Sequence, residues 1–220
     1  MKKVVIFGCG QVAEVVHYYL TQEGGRDVAA FTVDEEFRPF DRLLDLPVVN
    51  FGTIEETYPS ETHEFFVAVS FKGVNKLREE KVAAVENKGY ALTSHVSPDA
   101  TVWSGFKAEP NTIIMEHNVI QPFVTVGRNV IMWSGNHIGH HSKIEDNCFI
   151  ASHVVISGAV TVGAGSFVGV NATVRDGVSI GSRSVLGAGA LVLSDLPDSA
   201  VVMGQATPVS KVPSHRLRSI

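Results

Sequence analysis

The chain has 220 residues, 45% of them apolar, a net charge of -5 and a pI near 6.0, enough to bury one or two cores and too mildly acidic to attract nucleic acid or a membrane surface in bulk. Its two cysteines, Cys9 and Cys148, are too few and too far apart for a disulfide framework. The apolar run after Met1-Lys2-Lys3 is too short for a leader, and no stretch approaches membrane-spanning length, so a cytoplasmic protein is expected.

Val4 to Phe7 reads as a buried parallel strand, and Gly8-Cys9-Gly10-Gln11-Val12-Ala13 then opens a helix with apolar residues at Val12, Val16, Tyr19 and Leu20. Strand, glycine turn and helix in that order make a phosphate-binding start, because the helix N-terminus offers free N–H groups and a positive dipole. Gly24-Gly25 ends that helix, Val28 to Val33 forms a second strand, and Asp34 stands at its carboxyl end, where such folds put an acidic group near a ribose or base. Leu46 to Val49 reads as a short strand, Phe65 to Val69 as a central one, and Asn75 to Asn87 as a helix stopped by Lys88-Gly89-Tyr90. The G-x-G-x-x-A spacing alone is weak evidence for NAD, and about 90 residues are too few for a full dinucleotide domain. Residues 1–92 are therefore expected to form a small Rossmann-like α/β domain for one nucleotide, with Gly8, Gly10, Gln11 and Asp34 at the substrate.

From Val96 to Val192 every sixth residue is apolar, through Val102, Ala108, Ile114 and Ile120 to Ile180 and Leu186. A period of six fits neither a free amphipathic helix nor an alternating strand. It fits a coil of short flat faces, three hexads to a triangular turn, with the aliphatic residue inside. Glycine often follows the aliphatic residue, as at Gly127, Gly139, Gly163, Gly169, Gly181 and Gly187, where a chain turning a corner profits from the missing Cβ. Residues 93–220 are assigned to this all-β coil and a C-terminal tail.

The unbroken hexad register, joined to the nucleotide-like start and to Trp133-Ser134-Gly135-Asn136-His137-Ile138-Gly139-His140-His141-Ser142, resembles the hexapeptide-repeat sugar O-acyltransferases. That family includes sialic acid O-acetyltransferases and nucleotide-sugar N-acetyltransferases, and the match is with the branch that acetylates 4-amino-4,6-dideoxy sugars. The resemblance implies a left-handed parallel β-helix, a homotrimer, acetyl-CoA bound between subunits, and a role in bacterial surface polysaccharide synthesis such as that of lipopolysaccharide. It also implies that the N-terminal domain holds the nucleotide of the sugar.

Attack by a sugar amine on a thioester needs a base, and histidine is suited to it at neutral pH. His140 falls at a corner of its hexad, pointing outward, and the family's catalytic histidine follows an Ile-x pair, so Ile138-Gly139-His140 carries that role onto His140. Relatives commonly have Asp or Glu next to the base; here His141 stands there, either orienting His140 or touching substrate. His137 and His153 lie nearby in the coil register. His153 is a candidate pocket wall; His117 and His153 are two coils apart, about 10 Å, and cannot share one ligand atom. Asn136 and Ser142 fall inside the coil and read as scaffold. Gly158, one coil above His140, is a candidate for leaving room for the donor, and Gly169 and Gly187 are further candidate acetyl-CoA contacts. Trp133 and Phe123 are trimer contacts or sugar-facing surfaces.

Three rival readings stand beside N-acetylation. The nearest is O-acetylation of a sugar hydroxyl, for which the same base would serve. The second is a zinc hydratase resembling γ-class carbonic anhydrases, for which the N-terminal domain would have no purpose; no metal is assigned. The third is a non-catalytic nucleotide-sugar sensor.

Overall fold

The computed structural model describes residues 1–216. Its first part holds strands β1 (Lys3–Phe7), β2 (Val28–Val33), β3 (Arg42–Leu43), β4 (Leu46–Asn50) and β5 (His63–Val67), with helices α1 (Gln11–Tyr18) and α2 (Lys76–Asn87). The strands form one sheet in the order β3-β4-β2-β1-β5, parallel except for the β3–β4 hairpin. Val4 and Ile6 pack toward α1 and Phe31, while Val5 and Phe7 pack toward Phe65, Val82 and Val85. Cover on both faces explains the uninterrupted apolar run. The middle strand is β2, with β1 beside it, and not β5, contrary to the reading of Phe65 to Val69; the far side of β5 meets a bridge from Phe65 to Leu92 and the Asn111 side chain, which accepts the Val67 N–H at 2.7 Å and donates to the Val67 carbonyl at 3.2 Å. The α-helical part of α1 stops at Tyr18, two residues short of Leu20, and the chain loosens into a π-helical turn over Tyr19–Glu23 before Gly24.

From His95 onward the chain coils. Strands pair in parallel with those eighteen residues later, as Ile131 with Phe149 and His137 with Val155, until the last coil, which is two residues shorter and pairs Val185 with Val201. Three sheets of seven, six and four strands make the faces of a triangular left-handed β-helix. The first face runs from His95–Val96 to Val201–Val202, the second from Thr101–Val102 to Leu191–Val192, and the third from Thr125–Val126 to Ser179–Ile180. Ile120, Ile138, Ile144, Ile150, Val162 and Leu186 fill the interior. Asn118 and Asn136 are buried there in a ladder, Asn136 Nδ2 donating to Asn118 Oδ1 at 2.9 Å and Asn136 Oδ1 accepting the Val154 N–H at 2.7 Å.

Two readings of the hexads need correction. Ala108 does not lie in a strand: between Val102 and Ile113 the chain loops out, with Trp103 folded across Gly105, so the first coil lacks its third side. The glycines after the aliphatic residues are not the ones that turn the corner. A Cβ on Gly139 would lie 2.5 Å from the Ser157 carbonyl carbon of the next coil, so their smallness serves coil stacking. The left-handed residue falls two places later and recurs at every sixth position from Asn111 to Gly189, with φ between 54° and 78°. Asparagine, histidine and glycine fill most of these places, and Asn and His tolerate positive φ better than most residues.

The first part of the chain packs on the first face. Ile113, Met115, Ile131, Phe149 and Ala151 share a core with Val4, Ile6, Ala13 and Phe31. At one corner Arg78, wholly buried, donates to Asn129 Oδ1 (3.1 Å), to the carbonyl oxygens of Asn147 (2.9 Å) and Cys148 (3.0 Å), and to Asn75 Oδ1 (3.0 Å). Burial pushes its guanidinium down to about 10. Asn75, expected as the first residue of α2, lies just outside it with φ of 65° and donates to the carbonyls of Gly165 and Ser166. Because Arg78→Ala leaves several buried acceptors without donors, it is expected to cost roughly 3 kcal/mol in a urea melt; a loss under about 1 kcal/mol would contradict this account of the interface.

Candidate active site

Six-residue periodicity puts His140 and His141 side by side at the corner between the second and third faces. His140 is exposed; its backbone N–H donates to Gln121 Oε1 at 2.8 Å, and its carbonyl accepts the Ala159 N–H at 2.8 Å. His141 occupies the left-handed place of that corner, with φ of 59°. The two Nδ1 atoms are 3.1 Å apart and the rings nearly perpendicular, at 85°. The His141 ring packs on Phe123 of the preceding coil at 4.7 Å, and Phe123 lies 5.8 Å from Trp103 of the coil before that. Gly158, one coil above, is where the His140 imidazole lies: a Cβ there would come 2.7 Å from His140 Cε1 and 2.8 Å from Nε2. The room expected above His140 is thus taken, at least in part, by the ring itself.

His153 lies elsewhere, at the corner between the first and second faces, packed over Gly135, whose Cβ would stand 2.7 Å from the ring. His117 takes the equivalent place two coils below. Within one chain, then, His140 and His141 come together and His153 does not join them. Gly169 and Gly187 are stacking glycines, with the backbone of the next coil 2.8 Å and 3.2 Å from where a Cβ would be. His137 points outward from the second face between Val119 and Val155, which with Leu191 leave that face partly apolar and exposed.

At the carboxyl end of β1, Gly8 has φ of +126° and approaches the Ala68 carbonyl so closely that a Cβ would lie 2.8 Å from its oxygen. Gly10 caps α1 without a side-chain hydrogen bond and has open space around it, and Gln11 begins the helix. Asp34 follows β2, but its carboxylate is engaged by Lys81 Nζ at 2.5 Å. Lys81 escaped the sequence reading, since a lysine in a charged helix gives no signal until the fold brings it to β2. A groove of about 740 Å³ runs between α1 and Trp133, lined also by Gln11, Glu14, Tyr18 and Leu44. Beneath it the Tyr19 hydroxyl donates to Glu116. Burial would raise the Glu116 carboxyl, but hydrogen bonds from Ser134 and Tyr19 outweigh it and hold the carboxyl below the ordinary range. A concavity of about 1000 Å³ lies at the amino ends of β1, β2 and β5, lined by Lys2, Lys3, Tyr58 and His63. Ligands of parallel α/β sheets bind at the carboxyl ends, so that concavity is the wrong end for a nucleotide.

The two halves of the candidate chemistry are therefore separated in one chain. The first part sits on the first face, whereas His140 stands at the opposite corner of the triangle, across the apolar interior.

Residues 124–158 match the family described as bacterial transferase hexapeptide (six repeats), and residues 159–194 that described as hexapeptide repeat of succinyl-transferase. Comparison with curated proteins returns no match. Among solved structures, perosamine N-acetyltransferase from Caulobacter crescentus, as a histidine-to-asparagine variant in complex with CoA and GDP-perosamine, has a TM-score of 0.84 at 29% identity over 93% of this chain and 94% of that one. The acetyltransferase domain of PglB from Neisseria gonorrhoeae FA1090 has a TM-score of 0.82 at 25% identity over 95% and 100%. WeeI from Acinetobacter baumannii AYE, at 17% identity and a TM-score of 0.64 over 93% and 97%, shares the fold.

Proposed function

Because the chain belongs to the hexapeptide-repeat acyltransferases, we propose that it transfers the acetyl group of acetyl-CoA to the amine of a nucleotide-linked 4-amino-4,6-dideoxy sugar, with His140 as the base. The observation that carries this is an exposed histidine pair on a coil corner, in a chain that shares over nine-tenths of its length with an enzyme solved with CoA and GDP-perosamine. The amine attacks the thioester carbonyl carbon and His140 Nε2 takes the amine proton. The C–S bond then breaks, and the proton passes from Nε2 to the departing CoA thiolate. Direct attack suits the cysteines: burial pushes the Cys148 thiol up to about 12 and raises that of Cys9, so neither is a ready nucleophile for an acyl-enzyme.

The site is incomplete in one chain. A homotrimer in which the first part of one copy meets the His140 corner of its neighbour brings nucleotide and base together. The apolar strip of Val119, Val155 and Leu191 on the second face supports burial against another copy. His153, at the corner near Trp133 and α1, then walls the sugar pocket, and acetyl-CoA runs along the coil past Gly158, Gly169 and Gly187. No helix among the described residues is long and apolar enough to cross a membrane, and both substrates are metabolites of the cytoplasm, where this reading puts the protein.

A thiol-release assay over nucleotide-linked 4-amino sugars and their 4-hydroxy counterparts tests the reading. Release is expected with the amines, and release only with hydroxyls would make the enzyme an O-acetyltransferase. Asp34→Ala, which also frees Lys81, should raise KM for the sugar nucleotide about tenfold or more and leave that for acetyl-CoA unchanged; equal shifts would mean the first part of the chain does not hold the nucleotide. NAD should not compete. Gly158 has ordinary φ, so Gly158→Ala should fold normally while pushing the His140 ring aside, lowering kcat roughly 10- to 100-fold; wild-type kcat would show that the ring position is immaterial.

A further inference from the structure

Two Nδ1 atoms 3.1 Å apart are hydrogen-bonded only if one carries the proton and the other a lone pair. A neutral imidazole has one N–H. The ring that donates from Nδ1 therefore keeps Nε2 free as a base, and the ring that accepts at Nδ1 has Nε2 protonated and useless for taking a proton. We propose that His141 is a positioning residue that accepts at Nδ1, holding His140 in the Nδ1–H tautomer with its Nε2 lone pair available to the substrate amine. This rests on His140 being the base.

Packing breaks the symmetry of the pair. The His141 ring is wedged against Phe123, which is backed by Trp103, whereas the Cε1–Nε2 edge of His140 lies over Gly158, where a Cβ would come within 2.8 Å of both atoms. Among the described residues no charged side chain is hydrogen-bonded to either ring. The charged groups of the neighbouring coils are otherwise engaged or one coil removed: Asp176 accepts the Gly158 N–H at 2.9 Å, and Lys143 pairs with Glu145 at 2.9 Å. A neutral acceptor thus does the orienting that a carboxylate would do elsewhere. In the reaction the amine proton goes to His140 Nε2, and the imidazolium keeps its Nδ1–H bond to His141. Nε2 then releases its proton to the thiolate, and the pair returns to its starting tautomers.

The test contrasts acceptor-only with donor-only residues at position 141. The left-handed corner admits both kinds, since Asn147 and Arg183 occupy equivalent places at φ of 64° and 54°, and Asp shares the tolerance of Asn. His141→Asp should keep kcat within roughly tenfold of wild type, His141→Asn should cost about tenfold, and His141→Arg should cost more than about a hundredfold, all with KM for acetyl-CoA unchanged. In wild-type protein, ¹⁵N NMR should find His140 protonated at Nδ1. Equal losses in the Asp and Arg variants, unchanged activity in both, or a His140 protonated at Nε2 would overturn the proposal. The NMR readout needs no acceptor sugar, so a failure to find the right substrate, or an active His140→Asn enzyme, would strike the proposed function without being confused with this result.

Discussion

His140→Asn should lower kcat by roughly 10²–10⁴ with little change in KM for either substrate. Asparagine keeps a hydrogen-bonding side chain of similar reach but offers no lone pair basic enough to take the amine proton. His140 does not occupy the left-handed place of its corner, it is exposed, its hydrogen bonds to the neighbouring coils run through the backbone, and its ring meets His141 and Gly158 at the same corner. The loss should therefore appear in kcat without a drop in melting temperature. If His140→Asn keeps most of its activity while His141→Asn loses it, the base is His141.

Gly8→Ala should have an effect of similar size on the other substrate. A methyl group at position 8 would lie 2.8 Å from the Ala68 carbonyl oxygen, on a backbone of φ +126° that only glycine adopts cheaply. Either β1 and β5 part or the turn before α1 deforms, and both displace the N–H groups at the start of α1 that are to meet the phosphates. The expected result is a loss of about a hundredfold or more in kcat/KM for the nucleotide sugar, with acetyl-CoA binding measured by calorimetry retained. Parallel loss of acetyl-CoA binding would mean that the variant is unfolded or that the two substrates share one domain.

The hexad register made the coil legible because one aliphatic residue per strand must point inward, and nothing else gives a period of six. It also fixed His140 to a corner. The actual turning device was harder to see: the left-handed place is filled by Asn, His, Gly, Ala, Phe or Arg, so it shows no single residue type, while the glycines that do recur serve coil stacking. The loop at Ala108 was hidden because the apolar period continues through it, and only the fold of Trp103 over Gly105 displaces the strand. In the first part, β1, β2 and β4 were plain from their apolar runs. The position of β5 at the sheet edge, the Lys81–Asp34 pair and the Arg78 key depend on contacts between distant segments, which no local pattern records. The pairing of His140 with His141 was readable as adjacency; which nitrogen faces which was not.

Mixing the two inactive variants tests the shared site directly. His140→Asn chains have an intact nucleotide turn and Gly8→Ala chains an intact base, so a trimer holding both rebuilds a complete site wherever the right neighbours meet. Co-refolded at equal amounts, they should recover roughly a quarter of wild-type activity, since about one interface in four then pairs a sound base with a sound nucleotide turn. Activity no greater than that of the separate variants would contradict the account and put base and nucleotide within one chain.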